Sequence, residues 1–366
     1  MKKILFIITH LELGGAQREL LLLIKNLDPK KYKLFLLAGD YGFLKEDFLK
    51  ISHLKVYLIK ELKREINIFY DIFAFIKIFL YIKKHKFDII HTHSPKASFL
   101  GRWAAFFAGC KNIVYTVHGW PFHKFISPVS YYLYLFLEKL TAKITKKIIV
   151  VSKKDLNEGK KITPISKLKL IHYGIETNIF EKVFKERNSN NFIITVSSLK
   201  PQKGLKYFLN MAEEVLRVFT DIKFYILGDG PLRKKIKRLI KKKRLDKNVF
   251  LLGWQRDITY FYKKTIIFVL TSLWEGLPLS VIEAVISGIP LIVTNTGGVL
   301  DIVKNKKQGL VVEFKDIKNL GKICVEMLKN IDEWNRIIKK ERERLNTEYW
   351  SYQRYIREIE MLYQKL

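Results

Sequence analysis

Short apolar runs alternate with helix-length segments along nearly the whole chain, and this alternation restricts the fold more than any other feature. In the first half the runs are KKILFIIT, KLFLLAG, KVYLIK, FDIIHTH, KNIVYTVHG and KKIIVVS. In the second half they are NFIITVSS, IKFYILGDG, NVFLLGW, IIFVLTS and PLIVTNTGG. Continuous apolar strands between helices are typical of a parallel sheet covered on both faces. The sequence therefore predicts two doubly wound α/β domains.

The boundaries of these domains are predicted from a polar stretch and from the helical end of the chain. The stretch ERNSNN, residues 186–191, has no periodicity and is interpreted as a linker. We predict one Rossmann-like domain over residues 1–187, a second over 188–345 and a helical tail over 346–366. Ligands of open α/β sheets bind beyond the carboxyl ends of the strands, so the loops after strands are where site residues are expected.

Composition limits the partners and the compartment. The formal net charge is +32, which attracts phosphate in nucleic acid, in anionic lipid headgroups or in nucleotide sugars. Apolar residues make up 48% of the chain, enough for two cores, so disorder is excluded as the dominant state. The two cysteines, Cys110 and Cys324, lie far apart, which argues against a disulfide framework and fits a reducing compartment.

The longest apolar stretch is INIFYDIFAFIKIFLYI, residues 66–82, which contains Asp71 and Lys77. A membrane-spanning helix needs about 20 predominantly apolar residues, and this stretch is shorter. We expect a helix that is largely buried in its own domain. A helix that lies partly against a membrane is the alternative.

Loops after strands of the first half hold glycine and histidine. Gly14 and Gly15 open a helix, where backbone amides and the helix dipole favour an anion, although a plain turn is also consistent. His118 ends a central strand and either hydrogen-bonds a ligand oxygen or is satisfied in the core. His91 and His93 alternate faces of another strand. No carboxylate or cysteine accompanies them at ligand spacing, so a metal site is not expected.

Comparable loops of the second half hold glycine and lysine. Gly228 and Gly230, in ILGDGPL, expose backbone against which a flat base or a ribose can lie. Lys203 precedes Gly204 at a predicted helix start, where a lysine can neutralise a departing diphosphate. A surface lysine without a ligand is the alternative.

The stretch TSLWEGLPLSVIEA, residues 271–284, carries two carboxylates between a buried strand and a short apolar helix. A capping box of Ser280 and Glu283 accounts for one of them but leaves Glu275 unexplained. In the functional interpretation, Glu275 reaches a sugar and Glu283 accepts hydrogen bonds from vicinal ribose hydroxyls. The backbone amides of Gly276 and Leu277 then face a phosphate at the helix start.

Taken in order, these stretches resemble the family-4 retaining glycosyltransferases of the GT-B fold. The matching segments are GGAQ, DIIHTHSPKASFLGRWAA, TVHG, KKIIVVS, IHYGIETNIF, SSLKPQKG, ILGDGPL, FLLGW, EGLPLSVIEA, GIPLIVTNTGG and QGLVV. They cover roughly residues 2–330, and EGLPLSVIEA is the most specific of them. The resemblance implies two Rossmann-like domains that face each other across a cleft, an acceptor-binding one followed by a donor-binding one. It also implies that the last helix returns to the first domain.

The resemblance also assigns roles to residues. His118, Glu275 and Lys203 are implied in catalysis, with His118 on the transferred sugar and Lys203 on the diphosphate. The implied nucleotide-sugar-binding residues are Gly14, Gly15, Ser198, Lys203, Gly228, Gly230, Trp254, Gly276, Leu277 and Glu283. The family commonly has an arginine where this chain has Ser198. Lys200 or Arg233 is a candidate to replace that cation.

The implied reaction transfers a hexosyl unit, with retention and without a metal or cofactor, from a nucleotide diphospho-sugar. UDP is favoured as the nucleotide and GDP is possible. The expected acceptor is a lipid-linked glycan of bacterial capsule or lipopolysaccharide assembly. Residues 119–151 crowd aromatic side chains beside lysines, which suits an anionic membrane edge, although these aromatics could equally be core. The expected location is therefore cytoplasmic and peripheral, on the inner face of the cell membrane.

Three other functions compete with this one. A catalytically idle, nucleotide-binding partner subunit fits the serine at position 198. A GT-B relative with other chemistry, such as a sugar-phosphate-using synthase or an epimerase, would share the fold. A nucleic-acid-binding protein would explain the charge, but the basic residues are spread over both halves and no nucleic-acid motif occurs, so no nucleic-acid partner is expected.

Overall fold

The computed structural model describes residues 1–188, 192–304 and 306–366, which divide into two compact units. The first unit comprises Met1–Gly174 and Tyr352–Leu366, and the second comprises Ile175–Ser351. Each is a parallel sheet with helices packed on it. The predicted pair of doubly wound α/β folds is confirmed.

The first unit has a seven-stranded parallel sheet. Its strands are β1 (Lys2–Ile8), β2 (Tyr32–Gly39), β3 (Leu54–Ile59), β4 (Ile89–His93), β5 (Ile113–Val117), β6 (Lys147–Val150) and β7 (Leu168–Leu170). Its helices are α1 (Gly15–Asn26), α2 (Lys45–Leu49), α3 (Ile68–His85), α4 (Pro95–Phe107), α5 (Pro128–Ile144), α6 (Lys153–Gly159) and, from the end of the chain, α15 (Tyr352–Gln364). In space the strands run β3-β2-β1-β4-β5-β6-β7, so the loops after β1, β4 and β5 leave neighbouring strands.

The second unit has a six-stranded parallel sheet. Its strands are β8 (Phe192–Val196), β9 (Lys223–Leu227), β10 (Val249–Gly253), β11 (Thr265–Leu270), β12 (Leu291–Thr294) and β13 (Gly309–Val312). Its helices are α7 (Thr177–Lys185), α8 (Leu205–Leu216), α9 (Arg233–Lys242), α10 (Thr259–Lys264), α11 (Leu279–Ile286), α12 (Val299–Ile302), α13 (Leu320–Lys329) and α14 (Ile331–Glu343). The spatial order is β10-β9-β8-β11-β12-β13, which makes β8 and β11 neighbours.

Strand β1 shows why the apolar runs are continuous. Successive side chains of a strand point to opposite faces of the sheet. Phe6 belongs to a core with α1 and with α15 (Tyr352–Gln364), the last helix of the chain. Leu5 and Ile7 belong to a second core with α3 and α4. Because both faces are covered, the buried positions of the strand, Ile4 to Ile8, are all apolar.

The compact units break after Gly174 and Ser351, whereas the sequence analysis placed the boundaries after residues 187 and 345. Helix α7 belongs to the second unit because Phe180 is buried and packs its ring against Tyr262 of α10, with centroids 5.7 Å apart. Residues 189–191 of the predicted linker lie outside the described residues. Helix α15 packs against α1 in the first unit.

The expectation that the long apolar helix is largely buried is wrong. Helix α3 buries the stripe Ala74, Ile78 and Ile82 against the first unit. Its other sides expose large apolar side chains, with Phe69 at 76% and Phe73 at 56% exposure. A single helix that covers a sheet can bury only the stripe that faces it, so an apolar sequence all round does not imply burial all round. Within the described ranges, no helix has the length and apolarity needed to cross a membrane.

Candidate active site

In the second unit, Glu275 and Lys203 meet between two neighbouring loops. The ammonium Nζ of Lys203 lies 2.5 Å from Oε1 of Glu275, and Ser272 Oγ donates to the same oxygen at 2.6 Å. Gln202 donates to Oε2 at 3.3 Å and to the carbonyl oxygen of Trp274 at 2.8 Å. The lysine side chain is 16% exposed. A cation and a fixed carboxylate therefore stand together at the carboxyl ends of β8 and β11.

Backbone contacts hold these two loops at a fixed distance. Thr271 Oγ1 donates to the carbonyl oxygen of Lys203 at 2.9 Å, and the amide of Leu273 donates to that of Gln202 at 2.7 Å. Gly204 has φ +58°, and a Cβ there would lie 2.2 Å from the carbonyl oxygen of Thr271. Because only glycine fits both conditions, this position controls how closely Lys203 approaches Glu275.

Glu283 is fully buried on α11, and Tyr262 Oη donates to its Oε2 at 3.0 Å. The capping box is not formed, because α11 begins at Leu279 with Pro278 as its N-cap, and no side chain caps it. Ser280 thus lies inside the first turn. Tyr262 holds the carboxylate in place, and no sequence signal pointed to this tyrosine because it comes from α10.

The start of α11 is braced by the loop that follows β12. The amide of Gly298 donates to the carbonyl oxygen of Gly276 at 2.6 Å. Leu277 is buried, which anchors the chain just before the N-cap. These contacts fix the backbone that the sequence analysis assigned to phosphate.

Gly228 and Gly230 serve packing in this structure. A Cβ on Gly228 would lie 2.1 Å from the carbonyl oxygen of Ser197 and 3.3 Å from the ring of Trp254. The amide of Gly230 donates to Oδ1 of its neighbour Asp229 at 2.7 Å. The two glycines and Trp254 therefore bring the loops after β8, β9 and β10 together.

Arg233, one candidate to replace the family arginine at position 198, is engaged in an ion pair. Its guanidinium pairs with Asp229 Oδ2 at 2.9 Å, one helical turn away. The amide of Lys200 donates to the carbonyl oxygen of Ser198 at 2.9 Å, so the backbones of the two residues are in contact. Of the two candidates, Lys200 is therefore the one bonded to Ser198.

In the first unit, Gly14 is the N-cap of α1 and Gly15 its first residue. Gly15 is exposed. Helix α1 follows β1 directly, so its N-terminal amides lie at the carboxyl end of a central strand, where the helix dipole attracts an anion.

His118 follows β5 and has a protein partner on each ring nitrogen. Nδ1 shares a short hydrogen bond with Tyr173 Oη, and Nε2 lies 2.9 Å from Nδ1 of His93. Burial lowers the pKa of His118 to about 3, so the ring is neutral at physiological pH. The sequence analysis missed both partners. Tyr173 comes from a segment far along the chain.

His91 and His93, on the neighbouring strand β4, are also buried. His91 Nδ1 lies 2.6 Å from Tyr363 Oη of α15, and its Nε2 lies 2.7 Å from Thr116 Oγ1. The argument against a metal considered only residues at ligand spacing in the sequence, whereas the fold brings in a carboxylate from a helix distant in the chain. Glu19 of α1 places an oxygen within 4.8 Å of a ring nitrogen from both His93 and His118.

Comparison with known proteins identifies both halves of the chain. The model of the family described as Glycosyltransferase Family 4 matches residues 13–179, and that of Glycosyl transferases group 1 matches residues 176–344. Together the two matches extend over both compact units.

Two bacterial relatives match over most of their length. The UDP-Gal:alpha-D-GlcNAc-diphosphoundecaprenol alpha-1,3-galactosyltransferase of Escherichia coli is 34% identical over 321 residues, covering 83% of this chain and 82% of that protein. The capsular polysaccharide biosynthesis glycosyltransferase CapM of Staphylococcus aureus is 24% identical, covering 81% of each.

Solved structures share the fold at low identity. The Anabaena protein HepE, crystallised with UDP and glucose, has a TM-score of 0.83 at 18% identity, covering all of both chains. A sucrose-phosphate synthase from Thermosynechococcus elongatus has a TM-score of 0.82 at 18% identity, covering 100% of this chain and 99% of that one. With the family models and the Escherichia coli relative, these likenesses show that the chain belongs to the family-4 glycosyltransferases of the GT-B fold.

Proposed function

We propose that the protein transfers a hexosyl unit from a nucleotide diphospho-sugar to a lipid-linked glycan, with retention of the anomeric configuration. The observation that carries this proposal is the Lys203–Glu275 pair beside the start of α11. It puts a cation for phosphate and an acceptor for sugar hydroxyls at the carboxyl ends of neighbouring strands, which is where open α/β sheets bind ligands.

Departure of the nucleoside diphosphate is the step that these residues assist. Negative charge develops on the leaving phosphate, and Lys203 together with the amides before α11 stabilises it. Glu275 accepts hydrogen bonds from hydroxyls of the transferred sugar, and Glu283 accepts from the ribose. For His118 we propose the contact with the transferred sugar that the family resemblance implies. Since lysine, amides and the helix dipole supply the stabilisation, no step in this scheme requires a metal.

UDP is the proposed nucleotide. Its support is the UDP bound in crystals of HepE and the UDP-galactose named for the Escherichia coli relative. That relative's printed name also gives an undecaprenol-linked acceptor, and CapM belongs to capsule synthesis. We therefore propose a lipid-linked acceptor in bacterial surface polysaccharide assembly.

A direct assay tests this function. Purified protein is incubated in EDTA with UDP- or GDP-hexoses and GlcNAc-diphospholipid, and the product's anomeric configuration is read by NMR. Transfer with an α-linkage is expected from an α-linked donor, with loss of activity in Glu275→Gln. Glu213→Gln is the matched control, because Glu213 pairs with Lys243 at 2.5 Å on the surface of the same unit.

The same assay identifies the competing function. Arg233 is paired with Asp229 and the family arginine is replaced by Ser198, so a partner subunit that binds nucleotide without transfer is the second candidate. UDP binding with no transfer of any hexose would favour that candidate. An inverted product would contradict the retaining mechanism.

We further propose that the first unit docks on an anionic membrane through α3, α4 and α5. Helix α4 packs between the other two, so the outward sides of all three belong to one helical layer. The large apolar side chains exposed there are Ile66, Ile68, Phe69, Tyr70, Ile72, Phe73, Ile76, Leu80, Phe106, Phe107, Val129, Tyr132, Leu133 and Phe136. Of the aromatic residues within 119–151 that the sequence analysis assigned to a membrane edge, Trp120 and Phe122 lie instead in a hydrophobic core.

Charge favours lipid over a second protein copy as the occupant of this surface. Exposed cations border it at Lys63, Arg64, Lys83, Lys84 and Lys139. Two copies would bring these cations together, whereas anionic headgroups neutralise them at roughly 1 kcal/mol for each basic residue. Apolar side chains rimmed by cations are typical of interfacial helices. The proposed location is thus the cytoplasmic face of the cell membrane.

Vesicle cosedimentation tests the docking. Phe69→Glu combined with Phe73→Glu should abolish binding to vesicles of phosphatidylcholine and phosphatidylglycerol. Leu300→Glu is the matched control, since Leu300 is an equally exposed apolar residue of the second unit. Unchanged binding in the double variant, or loss of a dimer instead of loss of lipid binding, would contradict the proposal.

A further inference from the structure

Glu19 and His93 are two buried side chains with polar atoms that form no hydrogen bond to the described residues. Neither carboxylate oxygen of Glu19 has a hydrogen-bond partner among the residues described, and neither has Nε2 of His93. Glu19 lies on α1 and His93 on β4, and both side chains are almost fully buried. An oxygen of Glu19 comes within 4.8 Å of a ring nitrogen of both His93 and His118. A small side-chain rotation or one bridging water closes this gap.

Burial favours the neutral form of all three groups. Burial raises the pKa of the Glu19 carboxyl well above its ordinary value. Burial also lowers the pKa of His93 well below its ordinary value and that of His118 to about 3. Desolvation disfavours the charged form of each side chain, so it favours one carboxylic acid beside two neutral imidazoles.

Neutral side chains allow one continuous direction of hydrogen bonds. A neutral imidazole has one donor and one acceptor nitrogen, and a protonated carboxyl has one O–H donor beside an acceptor oxygen. Where Glu19 donates its O–H, His93 accepts at Nε2 and donates from Nδ1 to Nε2 of His118, 2.9 Å away. His118 then carries its proton on Nδ1 and donates it to Tyr173 Oη. One chain of donors thus runs from Glu19 to Tyr173.

We propose that Glu19 is a positioning residue that, through His93, holds His118 as the Nδ1–H tautomer in a single orientation. This inference rests on the proposed contact of His118 with the donor sugar. A neutral ring held in one tautomer always presents the same hydrogen-bonding groups to the uncharged sugar. Loss of the Glu19 proton at alkaline pH reverses the chain of donors and changes the tautomer.

Other titratable groups face Glu19 from the elements packed on α1. Burial raises the pKa of Tyr363 on α15, and the charge of the nearby Glu19 raises it further. Tyr32 is close to Tyr363 and also raises its pKa. His91 is bonded to Tyr363. Tyr363 stays protonated because burial raises its pKa well above the ordinary value, and burial lowers that of His91 to about 3. Neither changes charge between pH 6 and about 9.

A carboxylate with two imidazoles is also a zinc ligand set. The hydrogen bonds favour the donor chain, because both ring nitrogens of His118 already have protein partners and a metal would have to displace one of them. Zinc binding is therefore an outcome that the experiment must be able to detect.

The first measurement is the histidine tautomer in the full chain, read by 15N NMR without substrate. His93→Gln and His118→Gln assign the signals. In wild type and in Glu19→Gln, whose amide still donates, His118 should carry its proton on Nδ1. In Glu19→Met, which has no donor, the Nε2–H form should appear. An Nε2–H form in wild type, or the same tautomer in all three proteins, would overturn the proposal even where the methionine variant folds poorly.

The second measurement is kcat/KM between pH 6 and 9 with a hexose donor. Glu19→Met should lose about tenfold or more, as removal of a group that orients a functional histidine does. Glu19→Gln should restore most of that loss and lack the alkaline decline of wild type. If the tautomers are as expected but none of the proteins has transferase activity, the proposed function is refuted while the chain of hydrogen-bond donors is supported. One zinc bound per chain by dialysis, lost in Glu19→Met, would overturn the donor chain.

Discussion

The contact between Lys203 and Glu275 gives the sharpest prediction at the scale of single residues. Lys203→Ala removes the cation assigned to the departing diphosphate, so kcat/KM should fall by about 10²–10³, the range for loss of one transition-state stabilising group. The free energy of unfolding should also fall, because the side chains of Lys203 and Glu275 are only 16% and 8% exposed and the carboxylate is left without its cation. Lys243→Ala, which breaks the Glu213 pair, is the control. Equal activity loss in both variants would contradict the assignment.

Tyr262 and Glu283 make a second prediction at this scale. UDP at about a hundred times its dissociation constant should stabilise wild type by roughly 2.7 kcal/mol, visible as a raised melting temperature. Glu283→Ala should lose this shift, and Tyr262→Phe should reduce it, because the carboxylate loses the hydroxyl that orients it. GDP and ADP report the base preference. A full shift in Glu283→Ala would show that ribose is bound elsewhere.

The burial of Glu19 makes stability depend on pH. Its pKa in the folded state is raised, so the neutral acid is fully stabilising at low pH, and stability declines as pH rises above the ordinary carboxyl value toward the folded one. Glu19→Gln cannot ionise. Its stability relative to wild type should therefore increase as pH rises above the ordinary carboxyl value, by up to about 1.4 kcal/mol for each pH unit until the folded pKa is reached. Urea midpoints at each pH measure this difference, and a difference that does not vary with pH would contradict a buried, titrating Glu19.

At the scale of elements, α15 shows how a terminal helix completes a core. Tyr355, Ile359 and Tyr363 are buried against α1 and the first sheet. Tyr363→Phe keeps this packing but leaves His91 Nδ1 without its partner, which should cost about 1–3 kcal/mol. Tyr355 Oη is buried and has no hydrogen-bond partner within the described part of the chain, so Tyr355→Phe should be neutral or stabilising. Chemical denaturation compares the two, and equal effects would contradict the role of the His91 bond.

Helix α3 marks the limit of sequence analysis at the scale of elements. Its apolar residues at every angle predicted a helix and its approximate ends correctly. The same residues do not indicate which sides are covered, because that depends on neighbours supplied by β1 and α4.

At the scale of the whole molecule, the net charge of +32 predicts a salt effect. Transfer to a lipid-linked acceptor in anionic vesicles should fall as NaCl rises from 50 to 500 mM, because the Debye length shortens from more than about 10 Å to a few ångström. Transfer to a short soluble acceptor should change little. Vesicles of phosphatidylcholine alone are the control, and an equal salt effect on both acceptors would place the charge dependence at the donor site instead.

The sequence by itself determined the two doubly wound sheets, the family and the stretch around Glu275, because these depend on local periodicity and on residues adjacent in the chain. Only the tertiary structure decided the partners of the site residues. Tyr262 donates to Glu283 from another helix, and an oxygen of Glu19 on α1 lies within 4.8 Å of a ring nitrogen of His93 on β4. Sheet order brings together residues distant in sequence, and packing decides which polar groups lose water. The pKa values of His118 and Glu19 and the exposed side of α3 follow from that packing.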